Sequence, residues 1–233
     1  MRLSTLTAAA ATLLLATACS VHFPTPATPA GTPSRASTNP SPSPSPSPLT
    51  GAQLKRMLAP ASWFPAGFTA DRGGAVNSGI YRPPSPAGHL PCTRLGATSW
   101  VDLAGTGSVS IAQDDYIDRA NSQEYAEEID VYQGTGAQAT MAGLRKLAVT
   151  CPRFRDRQTS GTVTVKMRKG PRLGDDALSF TLTNPRWIGG DTLTAVRSGS
   201  AVVTVYCSAN SGTGKAQAAR LAALLVRNLH HRA

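Results

Sequence analysis

Four groups of side chains in this sequence have types and spacings that bear on chemistry: an acidic run, a basic run, a glycine loop and four cysteines. The acidic run holds Asp114, Asp115, Asp118, Glu124, Glu127, Glu128 and Asp130, opposed only by Arg119. Carboxylates at this density can bind a cation, but the run lacks the ligand spacing and the glycine of a calcium loop. It is expected to form a solvated rim. The basic run follows. Nine lysines or arginines lie between Arg145 and Arg172, with one acid, Asp156. Lys166, Arg168, Lys169 and Arg172 are candidates for binding within it. A solvated basic face is the plain reading, and a meeting with anionic lipid headgroups or wall polymers is the functional one. The net charge of +10 has the same sign. Trp187, in the glycine-rich stretch NPRWIGG, is the aromatic expected at a cleft edge.

The glycine loop, SGTGKAQ at 211–217, fails as a phosphate loop. Ala209 stands where that motif needs its first glycine, and Ala216 where it needs Ser or Thr. It reads as a turn entering the last helix. A hydrolytic triad needs a nucleophile beside an oriented base. His89 is the only histidine between residues 49 and 229, in PAGHLPC, with no evident orienting partner. There is no Cys-x-x-Cys pair to suggest zinc. The chain is therefore expected to be no enzyme, with no metal or cofactor. Nucleic acid is not an expected partner, since no recognition helix is visible.

The cysteines divide by position. Residues 3–16 are apolar or small behind Arg2, too short for a membrane span and suited to a signal peptide. The stretch ends Ala16-Thr17-Ala18-Cys19 and resembles a bacterial lipobox, in which cleavage precedes an acylated cysteine. Ala16 stands where a lipobox usually has Leu, and the same residues suit ordinary secretion. Residues 20–48 hold nine of the 18 prolines. Proline removes backbone donors and fixes φ, so this stretch reads as a disordered, extended tether of roughly 90 Å. The organisation expected is a signal peptide at 1–18, a lipidated Cys19 with a Pro/Ser/Thr-rich tether at 19–48, and a globular domain at 49–233. Three cysteines remain for the domain. Cys92 is paired with Cys151, a bridge worth about 3 to 4 kcal/mol in the chain-entropy account, with Cys151–Cys207 the open alternative. Cys207 is then a buried apolar residue.

These residues need elements to hold them. Thr50 and Gln53 fit a capping box opening a short helix. Residues 60–92 read as irregular, with one strand around 76–81. TSWVDL (98–103) and SVSIAQ (108–113) look like a hairpin across Gly105-Thr106-Gly107. YAEEIDVYQ (125–133) alternates, with Ile129 and Val131 on one face and Glu128 and Asp130 on the other. Met141, Leu144, Leu147 and Ala148 recur at helical spacing over 137–151. Strands follow at 162–168, 178–183, 191–197 and 201–208, the last two joined by Ser198-Gly199-Ser200. A helix spans about 214–230. Mostly antiparallel connections make the class α+β, a twisted antiparallel sheet with helices on one face.

LTGAQLKRML, LRKLAVTCPRF and SGSAVVTVYCSANSGTGKAQAARLAALLVRNL together resemble actinobacterial sensor-domain lipoproteins of the PknH-like extracellular family, over residues 49–232. The resemblance implies an α+β domain with a ligand groove, no catalytic residues, and signalling through a partner. That family carries two disulfides, where this domain has three cysteines. The function expected is a cell-envelope lipoprotein on the extracytoplasmic face of the membrane. It would be monomeric, binding a ligand or envelope protein. The alternative is a carrier of anionic lipid or wall polymer.

Overall fold

The computed structural model describes residues 47–71, 77–78, 91–210, 212 and 214–232. Cys19, the expected leader, most of the expected tether, His89 and most of the strand expected at 76–81 lie outside them. In chain order the elements are α1 (Gly51–Lys55), β1 (Thr69–Ala70), β2 (Asn77–Ser78), β3 (Ser110–Asp118), β4 (Gln123–Val131), α2 (Gly136–Thr150), β5 (Arg153–Arg155), β6 (Thr162–Lys169), β7 (Asp176–Thr183), β8 (Gly190–Ser198), β9 (Ala201–Ala209) and α3 (Gly214–Arg232). Three short 3-10 helices, Ala61–Trp63, Cys92–Gly96 and Trp100–Ala104, interrupt the loops.

The strands form one antiparallel sheet in the order β1-β3-β4-β9-β8-β7-β6-β5, with β2 also paired to β3. Residues paired across an antiparallel ladder share a face, so the register sorts the side chains. Ala126, Val202, Leu193 and Phe180 face one side, where Met141, Leu144 and Leu147 of α2 close a core with Trp100. Ile129, Val203, Val205 and Val196 face the other, where Leu54 of α1 and Leu221, Ala222 and Leu225 of α3 close a second core. The α+β class and the antiparallel sheet are as expected. The helices, however, divide between both faces instead of sharing one, because the central strands are apolar on both sides.

Local chemistry explains the element ends. The Gln53 amide donates to Thr50 Oγ1 and Gln53 Oε1 accepts from the Thr50 amide at 2.7 Å, completing the capping box. Ser198 pairs with Ala201, which leaves Gly199 and Ser200 as a two-residue turn. Gly199 there has φ +59°, the left-handed region that such hairpin turns use.

Two further sequence expectations fail. TSWVDL is not a strand: Ser99 (φ 54°) and Gly105 (φ 72°) turn the chain at each end of a 3-10 helix. Its consecutive buried residues Trp100, Val101 and Asp102 lie under α2 rather than alternating. The hairpin partner of β3 is β4 instead.

The acidic run is not a solvated rim either. Asp115 and Asp118 on β3 and Glu127, Glu128 and Asp130 on β4 are all buried, the β4 residues because that strand is covered on both faces. Burial pushes Asp130 up to about 7. It also holds Glu128 well above the usual range, with the neighbouring Asp130 and Asp102 adding to the rise. On the opposite face, Glu127 accepts the Ala59 amide at 3.0 Å and is pushed by burial up to about 8.

Candidate functional site

A groove of about 990 Å³ opens at one end of the sheet. Its floor is set by register. Glu124 on β4 and Asp191 on β8 both pair with Ser208 of β9, one from each side. The three therefore lie in a row on the α2 face of the sheet, with Tyr206 two residues further along β9. All four line the groove. One wall comes from the Cys92–Gly96 turn through Thr93 and Gly96, another from the β3–β4 hairpin through Arg119 and Asn121.

Burial pushes the Asp191 carboxyl up to about 6, while the hydroxyls of Tyr206 and Ser208 draw it partly back. Burial likewise takes Glu124 to about 7, helped by the charges of Asp115, Asp191 and Asp71. Near neutrality the floor thus carries one carboxyl, Glu124, that can donate as well as accept, beside Asp191, which mainly accepts.

Trp187 forms the remaining wall, as its setting in NPRWIGG led one to expect. Its indole Nε1 donates to Asp156 Oδ2 at 3.1 Å. Asp156 is fixed by the Thr159 hydroxyl and by the amides of Gln158 (3.0 Å) and Thr159 (3.2 Å). The Thr159 hydroxyl bond is the largest influence holding the Asp156 carboxyl below its ordinary range. Asn184 ties the two loops together: its side-chain Nδ2 donates to Thr159 Oγ1 at 3.0 Å, and its backbone carbonyl accepts the Trp187 amide at 2.9 Å. The indole is half-buried with its polar edge already satisfied. What remains for a ligand is an aromatic face held in one orientation, beside Phe154 and Ile188.

The disulfide forms between Cys92 and Cys151, with Cα atoms 5.5 Å apart, and pins the Thr93–Gly96 wall to the end of α2. Cys207 is free and buried among α3 and its own sheet face, as expected. Burial pushes its thiol up to about 12, which leaves it inert. The basic candidates do not join Trp187. Lys166, Arg168, Lys169 and Arg172 are exposed on β6 and the following turn, and none lines the groove. Sequence reading missed Asp191, Tyr206 and Ser208, which look like ordinary strand residues. A signal for Asp191 exists: DTLTAVR begins with a carboxylate on the face that continues as Leu193 and Ala195.

The fold is thus an α+β antiparallel sheet with a polar groove bearing one braced tryptophan. It is similar to the extracellular domain of PknH from Mycobacterium tuberculosis, with a TM-score of 0.57 at 15% identity, over 79% of this chain and 98% of that one. That likeness is one of fold. No family model matches the chain, and no curated protein does. Among the described residues, no helix is long and apolar enough to cross a membrane.

Proposed function

We propose that this chain is an extracytoplasmic, sensor-type binding domain, monomeric and non-enzymatic, whose ligand occupies the groove beside Trp187. One observation carries the reading: the Asp156–Thr159–Asn184 network fixes an aromatic face at the mouth of a polar groove. A binding site gains from such preorganisation, because binding does not have to order the indole. The similarity in fold to an extracellular domain supports an extracytoplasmic placement. The lipobox-like Ala16–Cys19 stretch supports attachment to the membrane through an acylated Cys19, with residues 20–48 as the tether.

The test has two arms. Native mass spectrometry of the chain purified gently from its host should detect a bound species of unchanged mass. Trp187→Ala should lose that species while still unfolding in one cooperative transition. An empty groove, a species retained equally by Trp187→Ala, or a species converted chemically on incubation would each overturn the binding reading. In the second arm, Cys19→Ala should move the chain from the membrane fraction to the soluble fraction. Retention of the variant in the membrane refutes the anchor.

A further inference from the structure

The short ribbon β5–β6 closes one edge of the sheet, and its register arranges charge in a way the groove does not use. Arg153 pairs with Thr164 and Arg155 with Thr162, while Lys166 pairs with Thr181 and Arg168 with Ser179. Thr162, Thr164, Lys166 and Arg168 alternate along β6 and so share one face. Arg153 and Arg155 share it through their partners. Ser179 bonds the Thr194 hydroxyl at 3.0 Å, and Thr194 pairs with Val205 of the α3 core, so this is the α3 side of the sheet.

The two cores stop short of this region on that side. Arg153, Arg155, Lys166 and Arg168 are all exposed, as are Thr162 and Thr183. None of the four cations lies within ion-pair distance of a carboxylate among the described residues. The adjacent strand offers only small or hydroxyl side chains there: Ser179, Thr181 and Thr183. Asp156, the acid nearest in sequence, is committed to Thr159 and Trp187.

The spacing is regular. Arg155 stands level with Thr162, Arg153 with Thr164, and Lys166 and Arg168 follow at the next two steps. One cation therefore stands at each of four successive levels about 6.8 Å apart along the ribbon, two on β5 and two on β6 one strand spacing (about 4.8 Å) to the side, in a staggered row about 20 Å long. A row of single charges flanked by hydroxyl donors complements a linear polyanion better than a bilayer, which presents its charge in two dimensions.

We propose that the α3-side face of the β5–β6 ribbon, through Arg153, Arg155, Lys166 and Arg168, is a docking track for an extended extracellular phosphodiester polymer. The proposal stands apart from the groove, whose Phe154 projects from the opposite side of β5. Charge on an edge strand also deters strand-to-strand association. That role alone predicts self-association of neutralised variants and no change in polymer affinity.

The test uses the full chain carrying Cys19→Ala, so that no acyl group contributes, and a fluorescently labelled poly(glycerol phosphate) as probe. Fluorescence anisotropy across a salt series should give log K falling with log salt at a slope of about −3, from four neutralised charges. Lys166→Gln with Arg168→Gln should reduce the slope to about −1.4, and Arg153→Gln with Arg155→Gln, on the other strand, should do the same. The proposal is overturned by a slope near zero, or by a slope equal in both double variants and the parent. It is equally overturned if the variants merely self-associate. Binding to phosphatidylglycerol vesicles, beyond that to phosphatidylcholine vesicles, with none to the polymer would assign the face to a membrane and also reject the track.

Discussion

Glu127 shows what one residue can report about this fold. It is 1% exposed, with Ala59 as its amide donor and Lys55, Asp114 and Asp115 as charged neighbours. Its folded value of about 8 lies above the ordinary 4.5. Between those values the folded chain holds a proton that the unfolded chain has released, so stability falls as pH rises through that window. Glu127→Gln removes the effect. Its stability should match the parent near pH 4 and exceed it by on the order of 2 kcal/mol near pH 9, as read from urea denaturation at each pH. A constant difference across pH would mean that Glu127 is ionised in the fold throughout. Asp102 and Asp115, both pushed up to about 6 by burial, bend the stability of the whole chain in the same direction. The sequence hides this burial. Glu128 and Asp130 alternate with Ile129 and Val131, which is the pattern of a strand with one wet face. The cover on that face comes from Trp100–Ala104 and α2, whose approach no local pattern records.

At the scale of elements, legibility follows how local the cause is. The Thr50–Gln53 capping box, the Gly199 turn, both long helices and the four C-terminal strands depend on neighbours in sequence, and they were readable. TSWVDL was misread because Trp and Val favour strands, while left-handed backbone at Ser99 and Gly105 turned the segment into a 3-10 helix. Trp187 was readable as a cleft residue from its glycine-rich surroundings. Its brace was not, since that joins the β5–β6 and β7–β8 loops. Gly161 tests the brace. A Cβ there would collide with the Asn184 carboxamide, which holds Thr159 and through it the Asp156 carboxylate under the Trp187 indole. Gly161→Ala should cost about 1–3 kcal/mol and shift Trp187 emission to the red as the indole loosens. Unchanged emission, compared against Trp187→Phe, would mean that Asp156 alone holds the ring.

For the whole molecule, the sheet works as a partition. Antiparallel register puts Glu124, Ser208 and Asp191 on the α2 side and the β5–β6 cations on the α3 side. A polymer on the track would therefore meet one side while the groove opens on the other. The β5 strand is shared: Phe154 faces the groove, and Arg153 and Arg155 flank it in the opposite direction. Strand geometry keeps these directions apart without a hinge, so occupancy of the two surfaces should be independent. Quenching by neutral acrylamide separates the possibilities, with Trp187→Phe subtracted to remove Trp63 and Trp100. The quenching constant of Trp187 should be the same in the free chain and in the chain saturated with poly(glycerol phosphate). Protection of Trp187 by the polymer, lost in the Lys166→Gln/Arg168→Gln variant, would mean that the polymer wraps the β5 edge into the groove. The two surfaces would then be one site, and the separation argued from register would fail.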